Sequence, residues 1–343
     1  MEQPTFLAGH EKRFFDFLAN LNDKDKIALL THTDLDGIAS GKVANKVIDA
    51  NLVKFIDYID LNSELIKELK DKKINKLIIT DIAIGNPNFI KEAEKHFEML
   101  IIDHHTFKED YNSERTVFMN AHHFCAAYLC YYLFSKSQDI TKLDWLVACA
   151  SISDWAYFNN KEFMTSTFEK YQDEFKFEGD IIRKKGKFWD TQWALTLAII
   201  YHKKDLTFVL NSVGENFEIG NLKESYSIVQ KEVNEALEKF EKEKIGFNEG
   251  YFWEFNPERR IGSLVSTLIS TRYLDKTIII GRPGDKYYSF SARRQDKKIS
   301  MAEFLQKLAS GLEDSDAGGH IPAAGGHVLM KDKEIIKERL SKL

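Results

Sequence analysis

The chain has few of the features that would place it in an oxidising compartment or a membrane. Its 343 residues include three cysteines, which form no CxxC pair and are too few for a disulfide framework. No run approaches the roughly 18 consecutive apolar residues of a transmembrane helix. The first residues lack the basic-then-apolar order of a secretion signal. We therefore expect a cytoplasmic protein without a membrane partner, and we interpret the C-terminal Ser-Lys-Leu as the end of a charged helix rather than a peroxisomal address.

The sequence also has no excess of basic residues. Lysine and arginine together number 48 against 53 acidic residues, which gives a formal net charge of −5. Proteins that track long nucleic acids usually carry a basic surface, because each phosphate contact requires a cation. The balance favours a small substrate held at one end. The run Arg183, Lys184, Lys185 and Lys187 is the candidate edge of a basic channel, although we interpret it as a solvent-facing surface.

The first half of the sequence alternates short apolar runs with segments of helical length. The predicted strands are residues 26–31, 53–59, 76–84, 97–103 and 115–119, and the predicted helices are residues 37–49, 63–70, 121–134 and 143–155. This alternation predicts βαβ units and a mostly parallel sheet, covered on both faces. Residues 165–190 are less periodic and predict irregular structure or short helices. The aromatic run CAAYLCYYLF, residues 125–134, is a candidate for core packing or for a homodimer interface.

The second half begins with a long connecting helix. An uninterrupted amphipathic pattern predicts it over residues 222–245. Beyond it we predict a strand at 251–255, a helix at 262–273, a hairpin of 276–281 and 286–292, a helix at 301–312, a glycine-rich loop at 317–326, and a final strand and helix. The fold class is therefore α/β, with an N-terminal parallel-sheet domain at 1–190, a helical linker at 191–245 and a smaller α/β C-terminal domain at 246–343.

Aspartate and histidine residues cluster at or near the ends of the predicted strands. They are His32, Asp34 and Asp36 after the first strand, Asp81 in the third, Asp103, His104 and His105 after the fourth, and Asp154 in an apolar helix. Ligands of open parallel sheets bind outside the carboxyl ends of the strands, so we expect these side chains to converge. If the backbone stays extended from His32 to Asp36, alternate side chains point the same way.

Each cluster alone has an ordinary structural explanation, such as helix capping or a turn. Together they do not, because several carboxylates buried near one another are costly unless cations compensate them. Oxygen and imidazole ligands without thiolate favour manganese, magnesium, iron, cobalt or zinc. Several carboxylates with two or more histidines suit a pair of ions that activates water against a phosphate ester. The sequence thus predicts a two-metal hydrolytic site.

These segments resemble the motifs of the DHH phosphoesterase superfamily. The matching runs are THTDLDGIAS at 31–40, the strand with Asp81, IIDHH at 101–105 and SISDW at 151–155. Further on, SAR at 291–293 and AGGHIPAAG at 317–325 resemble the DHH-associated C-terminal domain, in which three glycines usually precede the histidine. One residue separates His32 from Asp34, where small-nucleotide members often have three. That spacing is closer to RecJ-type exonucleases.

The resemblance implies a role for each residue and an active site in the cleft between two domains. His32, Asp34 and Asp81 would hold one ion, and Asp36, Asp81, His104 and Asp154 would hold the other. Asp36, Asp81 and His105 would be catalytic, and Asp103 would orient His104 or His105. The substrate phosphate would contact His105, Arg293, Gly318, Gly319 and His320.

The function implied by the resemblance is a phosphoesterase that uses two divalent ions, usually manganese, to hydrolyse short nucleotides. Short oligonucleotides, dinucleotides and the bisphosphate nucleotide pAp are the candidate substrates. One alternative is a RecJ-like single-strand-specific exonuclease, which would need a basic channel. The other is a non-catalytic scaffold module of a replication or repair assembly, which would be expected to lose one or more metal ligands.

Overall fold

The computed structural model describes residues 1–178 and 181–342 and divides the chain into two compact units, Met1–Ser227 and Ile228–Leu343. The helices of the first unit are α1 (Glu11–Ala19), α2 (Leu35–Ile48), α3 (Ser63–Asp71), α4 (Pro87–Ala93), α5 (Ala126–Phe134), α6 (Asp144–Ser153), α7 (Lys161–Lys170), α8 (Lys187–Tyr201) and α9 (Leu206–Ser212). Its strands are β1 (Ile27–Thr31), β2 (Leu52–Phe55), β3 (Lys76–Thr80), β4 (Glu98–Asp103), β5 (Thr116–Asn120), β6 (Phe177–Glu178) and β7 (Ile181–Ile182). Short 3₁₀ turns occur at Tyr58–Asp60, Thr141–Leu143 and Ala156–Phe158.

A parallel sheet lies at the centre of the first unit, with the strand order β2-β1-β3-β4-β5. Alternate residues of each strand enter two different cores: Leu29 and Ile78 pack with α2, α5 and α6, whereas Leu30 and Ile79 pack with α3 and α4. Both faces are therefore covered, as continuous apolar strands predict. Strand β2 pairs with one edge of β1, and β3 pairs with the opposite edge. The carboxyl ends of β1 and β3 therefore form a topological switch point.

Helix α5 is buried along its whole length within the first unit. It packs mainly against α2 and α6, so the aromatic run at 125–134 serves the core. The predicted homodimer is therefore left without a candidate interface, and it stays a prediction.

Several elements differ in length from their predictions. Helix α2 begins at Leu35 rather than residue 37, because Asp34 caps it. Strand β3 ends at Thr80 rather than residue 84, because Asp81 has a left-handed backbone with φ of 59°. Helix α5 begins at Ala126, five residues after the predicted start. The segment predicted as irregular, 165–190, includes the end of α7, strands β6 and β7 and the start of α8, with residues 179 and 180 outside the described part.

The second unit contains a mixed sheet. Helix α10 (Leu222–Glu243) crosses from the first unit into the second, and is followed by β8 (Ile245–Phe247), β9 (Gly250–Glu254), α11 (Gly262–Arg272), β10 (Thr277–Pro283), β11 (Tyr287–Arg293), α12 (Met301–Ala309), β12 (Asp316–Gly319), β13 (Ala323–Leu329), a 3₁₀ turn (Met330–Asp332) and α13 (Lys333–Ser341). The sheet order is β12-β13-β11-β10-β9-β8, and only the β9–β10 pair is parallel. Leu343, the last residue of the Ser-Lys-Leu tripeptide, lies outside the described residues.

The predicted hairpin of β10 and β11 is confirmed, whereas the predicted glycine-rich loop at 317–326 is wrong. Strands β12 and β13 pair there as a second hairpin around a turn, in which the N–H of His320 donates to the Ala323 carbonyl at 2.8 Å. Packing requires glycine at position 326, because a Cβ there would lie 2.8 Å from the Phe290 ring. No helix in the described part of the chain is both long and apolar enough to cross a bilayer.

Candidate metal centre

The connection from β1 to α2 positions the first group of predicted ligands. His32 follows β1 directly, and Asp34 caps α2 by accepting the Gly37 N–H at 2.9 Å. A Cβ on Gly37 would lie 2.2 Å from the His32 carbonyl oxygen, so only glycine permits this close turn. The backbone does not stay extended through Asp36, because Asp36 already belongs to the first turn of α2.

Asp36 is fixed by the N-terminus of α5. Its two carboxylate oxygens accept the N–H groups of Ala126 at 2.7 Å and Ala127 at 2.8 Å. These donors and the helix dipole favour the negative charge. Burial, with the side chain 3% exposed, and the nearby charge of Asp81 nevertheless raise the pKa of Asp36 well above its ordinary value. A nearby cation would stabilise the charged form of this buried carboxylate.

Asp81 lies between two groups of ligands at the carboxyl end of β3. Its Oδ1 is 3.4 Å from His104 Nε2, and its Oδ2 is 3.7 Å from His32 Nδ1. The side chain is 2% exposed, and among the described residues Oδ2 has no hydrogen-bond partner. Burial, followed by the negative charge of Asp34, raises the pKa of Asp81 well above its usual range. Each oxygen of one carboxylate thus faces a different histidine.

His32, Asp34 and Asp81 form the first group, with one ligand atom from each lying within 4.8 Å of the others. His32 Nδ1 is 3.0 Å from Asp34 Oδ2. Burial of the imidazole alone would lower the pKa of His32, but its contacts with Asp34 and Asp81 outweigh that effect and raise it to about 10. Loss of hydration would likewise raise the pKa of Asp34, but His32 lowers it to about 2. A metal ion takes the neutral imidazole, so binding here would release a proton.

Asp36, His104 and Asp154 form the second group, again with ligand atoms within 4.8 Å of one another. His104 Nε2 is 3.8 Å from Asp36 Oδ2, and His104 Nδ1 is 3.6 Å from Asp154 Oδ2. Asp154 reaches the group because it is the C-cap of α6. Burial is the main cause that raises the pKa of Asp154.

Asp103 and His105 form a pair beside these groups. The Nδ1 of His105 is 2.7 Å from Asp103 Oδ1, and the Asn120 amide donates to the His105 carbonyl at 3.0 Å. Burial would lower the pKa of His105, but the hydrogen bond to Asp103 outweighs it and raises the pKa. The pair holds a histidine whose side chain is 39% exposed, and its raised pKa suits contact with an anion.

Asp57 is a site residue that the sequence reasoning missed. Its Oδ1 lies 3.5 Å from His32 Nε2, on the side of the ring opposite Asp34, and accepts the Thr33 hydroxyl at 3.1 Å. Lys203 in turn donates to that hydroxyl at 2.5 Å. The available signal was position, because Asp57 follows β2 at the same sheet edge as the other acidic residues. Asp57 and Asp34 thus lie on opposite sides of the imidazole, whose Nδ1 faces Asp34 and Asp81.

We predict that Asp57→Asn weakens manganese binding about 10-fold, because carboxylates that orient metal-bound histidines typically contribute about 10- to 100-fold to metal affinity. Calorimetric titration with manganese measures the change. Asp71→Asn, which changes an exposed aspartate at the end of α3, is the matched control and should bind with unchanged affinity. Equal affinity of Asp57→Asn and the native protein would contradict an orienting role for Asp57.

The residues predicted to contact substrate phosphate in the second unit occupy two strands. On β11, the Arg293 guanidinium donates to Ser266 Oγ at 2.8 Å and to Ser263 Oγ at 3.1 Å, both on α11. These partners are neutral, whereas the adjacent Arg294 is paired with Glu249 and Asp296. Within the described residues the positive charge of Arg293 is therefore not neutralised, as an anion-binding arginine requires.

Gly318, Gly319 and His320 lie at the end of β12 and in the turn that follows it. Gly319 has φ of 142°, and a Cβ there would lie 2.6 Å from the Ala323 carbonyl oxygen, so this position requires glycine. A Cβ on Gly318 would meet nothing within 4 Å, and His320 is exposed. The backbone at Gly318 and the imidazole of His320 are therefore open to a ligand.

The basic run of residues 183–187 is not a continuous cationic edge. Arg183 lies 3.7 Å from Glu174, Lys184 lies over the Trp155 ring, and Lys187 lies over the Phe217 ring. Their charged groups thus face three different partners.

Comparison with known proteins agrees with the fold and the first motifs. Residues 26–152 match the model of the DHH family, N-terminal domain. An uncharacterized protein of Methanocaldococcus jannaschii is 32% identical over 112 residues, which are 30% of this chain and 25% of that protein. The match therefore spans only about a quarter of the length of this curated relative.

Two solved structures share the fold at low sequence identity. A crystal structure of exonuclease RecJ bound to manganese is 16% identical, with a TM-score of 0.66 over 98% of this chain and 94% of that one. PggH, a pGpG-specific phosphodiesterase from Vibrio cholerae, is 14% identical, with a TM-score of 0.53 over 92% of this chain and 98% of that one. Residues 26–152 are thus similar to the N-terminal domain of the DHH family, and the chain shares its fold with these two proteins.

Proposed function

We propose that the protein is a manganese-dependent phosphoesterase that hydrolyses short nucleotides: short oligonucleotides, dinucleotides or pAp. The observation that carries this proposal is Asp81, a buried carboxylate whose two oxygens face His32 and His104 separately. A carboxylate in that position suits a bridge between two cations about 3.5–4 Å apart. The known chemistry of the family, hydrolysis of phosphoester bonds, agrees with such a centre.

The donor set fits two divalent ions. His32, Asp34 and Asp81 would hold one, and Asp36, Asp81, His104 and Asp154 would hold the other. Bound ions would supply Lewis acidity and an activated water at neutral pH. Oxygen and nitrogen donors without thiolate suit manganese, which is also the ion bound in the RecJ structure that shares this fold.

The surrounding residues hold these groups and the substrate in place. The α5 N-terminus fixes Asp36, and Asp103 holds the His105 ring beside the ligands and raises its pKa, which favours contact with a phosphate oxygen. We assign catalysis to the first unit and substrate binding to the second, through Arg293, Gly318, Gly319 and His320. The three cysteines are free and buried, which agrees with a cytoplasmic location.

The alternatives differ in what they require of the surface and the site. A RecJ-like exonuclease needs a continuous basic channel, but the candidate run at 183–187 spreads its charges over separate partners. A non-catalytic scaffold needs no ligands, yet His32, Asp34 and Asp81 form one cluster and Asp36, His104 and Asp154 form another. Both observations favour an enzyme that acts on short substrates.

We predict that Arg293→Gln raises the KM for a dinucleotide about 10- to 100-fold, because loss of a charge-assisted contact to phosphate costs about 1.5–3 kcal/mol. The kcat and the manganese affinity should change much less. Steady-state kinetics with saturating manganese measures both parameters. Arg282→Gln, an exposed arginine on β10 of the same sheet, is the control. A normal KM for Arg293→Gln would remove this residue from the substrate site.

A panel assay with manganese tests the function as a whole. The substrates are a dinucleotide, pAp, a cyclic dinucleotide and a long single strand labelled at either end. We expect a dinucleotide or pAp to be hydrolysed much faster than the long strand, and a chelator to stop the reaction. Preferential degradation of the long strand would favour the exonuclease alternative. If no substrate is hydrolysed with manganese, magnesium or cobalt, the proposal is wrong.

A further inference from the structure

We propose that Trp155 and Lys184 form a nucleobase-binding subsite beside the metal centre. The inference rests on the proposed function and extends it, because it assigns the part of the substrate that the metal ligands do not contact. The indole of Trp155 stacks on the base, and the Lys184 ammonium contacts the adjoining phosphate.

Trp155 is an exposed aromatic residue that is adjacent in the sequence to a predicted metal ligand. It follows Asp154, whose Oδ2 lies 3.6 Å from His104 Nδ1. The side chain is 58% exposed, whereas Trp145 and Trp253 are buried. Its φ of 56° lies in the left-handed region, which bulky residues rarely adopt. The fold thus holds a large apolar ring in solvent, one residue after the predicted metal ligand Asp154.

Lys184 covers only part of this ring. Its Nζ lies 4.0 Å from the ring centroid, and the exposure of Trp155 leaves indole surface available to a planar ligand. Within the residues that the structure describes, Lys184 has no carboxylate partner, in contrast to Arg183, which lies near Glu174. Burial lowers the pKa of Lys184. A cation held beside an aromatic ring without a counter-ion is complementary to a ligand that carries both an aromatic and an anionic group.

A nucleotide is such a ligand. Bases stack on aromatic side chains with little dependence on their identity, and cations bind the backbone beside them. The acidic residues of the metal centre would repel a phosphate in the absence of cations, so a neighbouring ammonium also favours its approach. The subsite should therefore require a base, discriminate weakly among bases, and bind a base-free sugar phosphate poorly.

Tryptophan fluorescence tests the stacking directly and does not depend on turnover. With manganese present, adenosine 5′-monophosphate should quench the emission of the native protein in a saturable manner, and ribose 5-phosphate should not. Trp155→Phe should lose the quench, whereas Trp253→Phe, which removes a buried tryptophan of the second unit, should retain it. A quench that persists undiminished in Trp155→Phe would overturn the proposal.

Kinetics with a dinucleotide separates stacking from a structural role. Trp155→Leu should raise KM about 10- to 100-fold with a smaller change in kcat, as expected for one stacked base. Trp155→Phe should restore KM to near the native value. Lys184→Gln should weaken binding of both adenosine 5′-monophosphate and the dinucleotide. A normal KM in Trp155→Leu would overturn the subsite while leaving the phosphoesterase intact. A Trp155-dependent quench without hydrolysis of any nucleotide would support the subsite and overturn the proposed function instead.

Discussion

Asp81→Asn is expected to lower manganese-dependent hydrolysis about 10³-fold or more. The substitution keeps the size of the side chain but removes the negative charge that faces both His32 and His104. Lewis-acid activation contributes several kcal/mol to catalysis, and each 1.36 kcal/mol is about tenfold in rate. Loss of a shared ligand should disturb both ions together, so the effect should exceed that of removing a ligand of one ion.

The measurement is kcat with a dinucleotide at saturating manganese. Asp23→Asn, which changes an exposed aspartate between α1 and β1, is the charge-matched control and should have native activity. Circular dichroism should show that Asp81→Asn is folded. Activity within about tenfold of the native value would mean that Asp81 is not a shared metal ligand.

The second large effect is on stability. Manganese at 100 times its dissociation constant should stabilise the first unit by about 2.7 kcal/mol through mass action. For a unit of this size, each kcal/mol corresponds to about 2–4 °C, so we expect the Tm to rise by roughly 5–10 °C. The physical reason is the burial of Asp36 and Asp81, which raises the pKa of both carboxyl groups and is relieved by cations; the charge of Asp81 adds to the shift of Asp36, and the charge of Asp34 adds to that of Asp81.

Thermal unfolding over a range of manganese concentrations measures this effect. Asp81→Asn should lose the manganese-dependent rise, and its metal-free form should be at least as stable as the native protein because one buried charge is gone. The same rise in Asp81→Asn and in the native protein would place the stabilising ion elsewhere.

The parts of the fold that could be predicted are those whose local pattern and tertiary environment agree. Strands β1, β3 and β4 are continuous apolar runs because they are buried on both faces of a parallel sheet. The polar residues that follow them meet at one edge because the strands are parallel. Thus the positions of His32, Asp81 and His104 relative to one another follow from topology, whereas Asp154 comes from the end of α6.

The parts that were missed depend on contacts between distant residues. The role of Asp57 requires knowing that β2 pairs beside β1, which brings its carboxylate to His32. The glycines of β13 indicate a loop by propensity, but the Phe290 ring on β11 occupies the space that a side chain at Gly326 would need. The early start of α2 depends on Asp34, whose side chain acts both as helix cap and as partner of His32.

The hydrogen bonds between Asp36 and α5 restrict which residues this chain tolerates at the start of α5. The two amide donors lie 90 and 91 positions further along the chain and belong to the backbone, so many small side chains would serve at Ala126 and Ala127. Proline would not, although the first turn of a helix ordinarily accepts it because its missing N–H is unused there. Proline at position 126 would fit the first turn of α5, but it would remove the N–H that Asp36 accepts. A residue 90 positions earlier in the chain therefore excludes proline there.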